Sequence, residues 1–553
     1  MTTSQTKGTS LSSPTKSIVF RVRGLTAVDG GDGLQPGSAL SSAIKSRLIS
    51  DEVSQIQTSV AIISSCYDAG KKVGLVAFRG AVPSFLSTVF KNPLQEIQIE
   101  VGEDDVTFDC NFFGFTQLYN VKAPVLADVI AITGLDGHAY GSWRGKGDLS
   151  RMWLRDFLSQ DLPQCRVLTY GYNSKLTGKS RGLERILDYG RGFLEEIKQV
   201  RTTDEEMRRP LFFIAHSFGG LILAHSLVKA VLSADSAKEL VYHATYAILF
   251  FGTPHRGLSV DDIRGLLSDH DHPRHGLLDQ IKHNSDAVID QLGDFKNIIQ
   301  DRKIVSFYEA EQTPQLTNDN AAGRWQRTGS FATAVGPDSA LLNLPDHMEE
   351  KIPLSSDHSM MVKFDSKDNK GYQIAISRLR KFAEEASSTV ATRLSLHTLP
   401  EQRGHKGARE TPNDSVTLAD DTVASKPPSC CRDRPEASFS QNDLESLAST
   451  AYELFTSLKV RASSTDGTLK DVEQPLYSFR CALIHLTSNL DLVLSGPEPA
   501  EKLHAMAMKF ARTLKALHKF VDHESEDIDI NAMRNDLKSH SAYAQKLLDT
   551  VLT

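Results

Sequence analysis

The chain has no paired cysteines, no basic excess and no long apolar run, and each absence removes a class of protein. Its six cysteines, Cys66, Cys110, Cys165, Cys430, Cys431 and Cys481, include no C-x-x-C pair, so neither a disulfide framework nor a zinc knuckle is indicated. A reducing, intracellular compartment fits that pattern. With 62 Lys and Arg against 69 Asp and Glu the formal net charge is −7, which lacks the basic footprint of a nucleic-acid binder. No window approaches the roughly eighteen consecutive apolar residues of a membrane span, so any meeting with lipid is expected to be peripheral. Residues 1–16 are polar with no apolar core, which argues against a secretory leader, and they lack the arginine of a mitochondrial one. The expected location is intracellular and cytoplasmic, with association with an organelle left open.

What is present, 40% hydrophobic and 24% charged residues in 553, describes a globular chain long enough for more than one domain. Residues 1–16 read as disordered. Residues 17–120 carry strand-like stretches, Ser17-Ile-Val-Phe-Arg-Val-Arg23 and Val73-Gly-Leu-Val-Ala-Phe78, with the spaced apolar residues of 40–67 suiting one helix; an α+β extension is expected. Over 121–385 strands and helices alternate, the pattern of a mostly parallel sheet covered on both faces. Strands are expected at 127–133, 166–170, 211–216, 246–251, 303–308 and 331–335. After the fourth, residues 259–302 read as a helical insertion placed to overhang the sheet edge as a lid. Residues 386–438, rich in Ser, Thr, Pro and charge, read as a disordered linker, and 439–553 as a bundle of roughly four helices.

The most informative stretch is Leu211-Phe-Phe-Ile-Ala-His-Ser-Phe-Gly-Gly220. An apolar strand stops at a serine flanked by small residues, and a helical pattern starts at once. A serine on such a sharp turn projects its hydroxyl from the sheet edge as a nucleophile, and the small Ala215 and Gly219 avoid a collision there. The new helix aims N–H groups at negative charge forming beside Ser217, that of Phe218 first. A second donor is expected in the loop Ala131-Ile-Thr-Gly-Leu-Asp-Gly-His138, from the amide of Leu135. Asp136 and His138 read there as solvated loop residues, and His255, in Pro254-His-Arg-Gly257, as part of a structural turn.

Where a nucleophile sits on this kind of turn, the acid and then the histidine follow it along the chain. That order leaves His347 and His358 as candidate bases. Glu309, closing Lys303-Ile-Val-Ser-Phe-Tyr-Glu309, is the preferred acid and Asp338 its rival, the latter reading as a turn aspartate beside a proline. The run Gly171–Ser180 ends in Gly-Lys-Ser, but six residues separate its glycines where a phosphate-binding loop has about four, which disfavours nucleotide binding.

Five separated segments, Thr133-Gly-Leu-Asp-Gly-His-Ala-Tyr-Gly-Ser-Trp143, Trp153-Leu-Arg-Asp-Phe-Leu158, Tyr170-Gly-Tyr-Asn-Ser174, Phe213-Ile-Ala-His-Ser-Phe-Gly-Gly220 and Phe250-Phe-Gly-Thr-Pro-His-Arg-Gly257, resemble in order those of the fungal serine-active-site lipase-like α/β hydrolases. That family is related to the lipase-like effector domains of fungal NOD-like receptors. The resemblance spans about residues 129–372 and implies an α/β-hydrolase fold with a mostly parallel sheet, flanked here by the N-terminal extension and the C-terminal helical bundle. It implies Ser217, His358 and Glu309 as a catalytic triad and Leu135 and Phe218 as oxyanion donors. Thr133 departs from the family, which usually has His before Gly134. The implied activity is that of a serine esterase that cleaves a lipid-like or hydrophobic carboxylic ester through an acyl-enzyme, with no metal or organic cofactor. The competing reading is a catalytically silent scaffold acting through its C-terminal helices. Expected partners are the hydrophobic ester or lipid, a membrane surface met peripherally, and a protein or second copy met through those helices; nucleic acid is not among them.

Overall fold

The computed structural model describes residues 17–26, 35–147, 149–176, 182–231, 233, 235–267, 272–319, 324–398, 450, 454, 472, 475, 476, 479, 500–521 and 530–552. The expectations for 1–16, for 399–438, for the end of the Gly171–Ser180 run and for most of the first half of the C-terminal bundle lie outside the described residues. The chain divides into two compact units, Met1–Ala391 and Thr392–Thr553. In the second, the helices Ala500–Val521 and Ile530–Leu552 pack through buried Phe510, Leu514 and Leu537. The Phe510 and His540 rings lie 4.8 Å apart.

Among the described residues the first unit contains a five-stranded sheet, a seven-stranded sheet and a two-stranded hairpin. Its strands in chain order are β1 (Ile18–Thr26), β2 (Gln57–Ser64), β3 (Lys71–Arg79), β4 (Ile97–Val101), β5 (Asp104–Asp109), β6 (Gly114–Gln117), β7 (Ala127–Ile132), β8 (Cys165–Gly171), β9 (Leu211–His216), β10 (Thr245–Phe251), β11 (Lys303–Glu309), β12 (Thr313–Asp319), β13 (Arg324–Ala332) and β14 (Glu349–Leu354). The N-terminal sheet has the order β2-β3-β1-β5-β4, antiparallel throughout, around a core that includes Phe20, Val22, Phe78, Val106 and Phe108. The single helix expected over 40–67 is instead two short helices, Pro36–Lys45 and Ser50–Gln55, followed by β2. Thr58, Val60 and Ile62 are half-buried while Gln57, Ser59 and Ala61 between them are exposed, a period of two that suits a strand pleated over a core.

The second sheet has the order β14-β11-β10-β9-β7-β8-β6. All its pairings are parallel except that of β6 with β8. Strands β7 to β10 are buried along their whole length, as strands covered by helices on both faces must be. β6 lies within residues 17–120, for which the sequence leaves open a small module or an extension of the main sheet; it pairs with β8 and belongs to this sheet. The strand expected at 331–335 is also corrected. Among the described residues β13 pairs with β12 alone, as a hairpin, and the last parallel strand is β14, whose sequence Glu-Glu-Lys-Ile-Pro-Leu hides its nature. Charge and a proline are tolerated there because β14 is an edge strand. The helix Lys370–Thr398 runs into the expected linker.

The chain winds outward from β7 to β8, then returns across β7 to β9 and continues the other way through β10, β11 and β14. The order therefore reverses between β7 and β9, and in open sheets of this kind a ligand crevice forms outside the carboxyl ends of the strands at such a point. At the opposite end, buried Asp128 accepts from Arg166 Nη2 at 2.7 Å and Arg209 Nη1 at 3.1 Å, and from Arg201. This network ties the starts of β7 and β8 to the approach to β9.

Candidate active site

Ser217 stands between the end of β9 and the helix Phe218–Val231 with φ of +53°. A non-glycine residue there is strained by roughly 1–2 kcal/mol, and the surroundings hold it. Its N–H donates to Phe251 O at 2.9 Å, and its carbonyl accepts from the Gly220 N–H at 3.0 Å. A Cβ on Gly219 would lie 2.4 Å from Thr133 O, and one on Gly220 would lie 2.1 Å from Thr253 Oγ1. The elbow thus needs glycine at both positions because the ends of β7 and β10 press against it. A Cβ on Gly134 would stand 2.8 Å from Ser217 Cβ, which puts the loop after β7 directly over the serine.

His358 follows β14, and its Nε2 lies 2.9 Å from Ser217 Oγ. Behind it, Glu309 at the end of β11 places Oε1 3.8 Å from His358 Nδ1. Glu309 is buried, and burial pushes its carboxyl above the ordinary range, with Asp357 adding to the effect; the Val335 amide and the Thr313 hydroxyl, both hydrogen-bonded to it, act the other way. His347 is exposed just before β14, at the amino end of that parallel strand and so at the opposite edge from Ser217. Asp338 is exposed on the one-turn helix Pro337–Ala340. The structure therefore brings together Ser217, His358 and Glu309 and leaves His347 outside.

Phe218 and Leu135 flank the serine in sequence and in the overlying loop. Among the described residues neither main-chain N–H has an acceptor, which leaves both able to meet an oxyanion. Asp136 is exposed, as expected, with φ of +54°. His138 is not the solvated residue expected. Its Nε2–H donates to Cys110 O at 2.7 Å, and its Nδ1 accepts from the amides of Tyr140 and Gly141 at 3.1 and 2.9 Å. Both ring nitrogens are thereby assigned, the imidazole is neutral, and burial lowers its pKa further. Through this ring the loop over the nucleophile is tied to the end of the N-terminal sheet.

Sequence reasoning missed three more contributors. The Thr313 hydroxyl donates to Glu309 Oε2 and accepts from the His358 N–H, both at 3.0 Å, joining acid and base through one side chain. His216 Nε2–H donates to His358 O at 2.9 Å, with the two rings 5.1 Å apart. Gly252, with φ of +55°, lies beneath the His358 ring. Only His216, next to the nucleophile, carried a signal in the sequence; the other two meet the site from distant segments. The insertion after β10 forms the helices Asp261–Leu266, His275–Ile281 and Asp286–Ile298. Its fully buried Arg274 donates to Asn173 O and Tyr189 Oη, and Tyr189 packs edge-on against Phe218 at 5.6 Å. The insertion is anchored beside the nucleophile elbow.

A sheet whose order reverses at the nucleophile elbow, with the acid after one later strand and the histidine after the next, places this chain in the α/β-hydrolase fold. No protein-family model matches it. By sequence it is similar to protein SERAC1 of zebrafish, 25% identical over 294 residues that cover 48% of this chain and 39% of that protein. It is also similar to human protein SERAC1, 27% identical over 157 residues, 25% of this chain and 23% of that protein. The alignments thus span well under half of these relatives. Among solved structures, the mature lipase BlEst2 of Bacillus licheniformis aligns with 49% of this chain and 97% of its own at 14% identity and a TM-score of 0.30. The motifs resemble fungal hydrolases, whereas the relatives matched by sequence are animal proteins; what strand order and site geometry show is the α/β-hydrolase fold.

Proposed function

We propose that this protein is a serine hydrolase that cleaves a carboxylic ester, with a hydrophobic or lipid-like acyl group, through an acyl-enzyme. The observation that carries the reading is the 2.9 Å approach of His358 Nε2 to Ser217 Oγ with a buried carboxylate behind the ring. His358 takes the serine proton as Oγ attacks the ester carbonyl. Glu309 stabilises the resulting imidazolium, and the amides of Phe218 and Leu135 hold the oxyanion. The imidazolium then protonates the leaving alcohol. Water, deprotonated by the same ring, releases the acid and restores Ser217. The hydrophobic acyl group is what the resemblance of the five motifs to lipase-like hydrolases implies.

The test is labelling of the purified protein with a fluorophosphonate probe beside Ser217→Ala and His358→Ala, followed by turnover of p-nitrophenyl esters of increasing acyl length. Labelling of the parent chain alone, with turnover rising with acyl length, is the expected outcome. A parent chain that neither labels nor turns over any ester would overturn the reading and leave a binding role for the hydrolase fold.

A further inference from the structure

The N-terminal sheet ends in an edge whose outward main-chain groups are mostly without a partner among the described residues. β2 is the outermost strand and pairs with β3 in an unbroken register from Gln57 opposite Arg79 to Ser64 opposite Lys72. Antiparallel ladders alternate, so every second residue turns its N–H and C=O away from the partner strand. The Ser65 N–H donates to Lys71 O, which assigns the odd-numbered residues to β3 and the even-numbered ones to the outside. Asn120 confirms this parity: its Oδ1 accepts from the Ser64 N–H at 2.9 Å, and its Nδ2 donates to Ile62 O at 3.1 Å. Among the described residues the outward N–H and C=O of Thr58 and Val60, and the Ile62 N–H, have no partner.

Natural sheets protect such edges with charges, prolines, bulges or brevity. The eight residues of β2 contain no charge, proline or glycine, and the register has no bulge. The opposite edge strand, β4, is shorter and carries Glu100. Beside the open edge lies a groove of about 700 Å³, floored by Val60 and Ile62 and walled by Ser38, Ser41 and Ser42 of the helix Pro36–Lys45. Lys45 and Lys72 also line it, and among the described residues no acidic one does.

We propose that this edge is a docking site for an extended, acidic peptide segment of a partner protein, which adds to the sheet as a strand alongside β2. The free main-chain groups of Thr58, Val60 and Ile62 supply the ladder. The groove takes alternate side chains of the incoming strand, and the two lysines select carboxylates among them. Charge also decides against a second copy as occupant, because pairing β2 with itself brings two lysine-lined grooves together with no acid among the described residues that line them. The site lies on the N-terminal sheet and is independent of the hydrolase chemistry.

The experiment is selection of a phage-displayed library of random peptides on the full-length protein, with the affinities of the recovered peptides measured as synthetic molecules. Val60→Pro removes an outward N–H without touching the ladder to β3, and proline is tolerated on edges in that orientation. Lys72→Glu reverses the charge of the groove. We expect selected peptides rich in acidic and β-branched residues. Their binding should weaken at least about tenfold in each variant, while melting temperature and fluorophosphonate labelling stay as in the parent. Failure to enrich any peptide, or equal binding to Val60→Pro, would overturn the proposal. So would a parent chain that elutes as a dimer which Val60→Pro converts to monomer, since the edge would then serve a second copy.

Discussion

A Cβ on Gly252 would stand 3.0 Å from both Nδ1 and Cε1 of His358, so the residue that closes β10 sets how far the imidazole can move toward the sheet. Gly252 also adopts φ of +55°, where a side chain is strained. Gly252→Ala is expected to tilt the ring off Ser217 and lower kcat by at least about tenfold, the effect of ~1.4 kcal/mol on the barrier. Near-parental circular dichroism with slowed fluorophosphonate labelling would show it; parental kcat would refute it.

Ser217 stores backbone strain for the sake of its hydroxyl. Ser217→Gly should abolish turnover and labelling while raising stability by about 1 kcal/mol, because glycine adopts φ of +53° without a steric penalty. Chemical denaturation of the two proteins measures the difference, and an unchanged or lower midpoint for the variant would mean that the elbow is relaxed.

Thr313 holds Glu309 with its hydroxyl proton and the His358 main chain with its oxygen. Thr313→Val keeps the shape and removes both bonds, for an expected loss of about 1–3 kcal/mol in transition-state stabilisation, seen in kcat more than in KM. Thr313→Ser should recover most of it. Equal kinetics for the valine and serine variants would assign Thr313 a packing role only.

His138 joins the N-terminal sheet to the loop over the nucleophile by donating at one nitrogen and accepting at the other. His138→Asn retains an acceptor near the Nδ1 position, and His138→Gln retains a donor near Nε2, so the two separate the turn from the tether. Both should retain more kcat than His138→Ala. If all three match the parent, the loop holds its shape without the ring.

His255 is fully buried against Phe250 and Phe295, and burial pushes its pKa down to about 3 from 6.5. The folded state therefore binds fewer protons than the unfolded one between those values, and stability rises with pH across that window. Melting temperature should fall as the pH drops below about 6.5, and His255→Phe, which cannot take a proton, should flatten the fall. A variant with the parental pH slope would locate the acid sensitivity elsewhere, for example at His225, whose pKa burial lowers to about 4.

The sequence by itself determined the strands of the sheet centre and the sharp turn that carries Ser217, because both are local. A run such as Leu211–His216 is apolar from end to end, and the elbow shows as a serine between small residues at a change of periodicity. Chain order then limited the base to two histidines and the acid to two carboxylates. Tertiary structure placed His358 beside Ser217 and His347 away from it, since a parallel strand carries them to opposite edges of the sheet. It alone revealed β14, whose charge and proline are permitted by its edge position, and β2, where half-burial of alternate residues outweighed an apparent helical spacing. The Thr313 bridge, the Gly252 floor beneath the imidazole and the His138 tether were beyond sequence reading for one physical reason. Each acts through a contact between segments far apart in the chain, and such a contact leaves no periodic trace at either end.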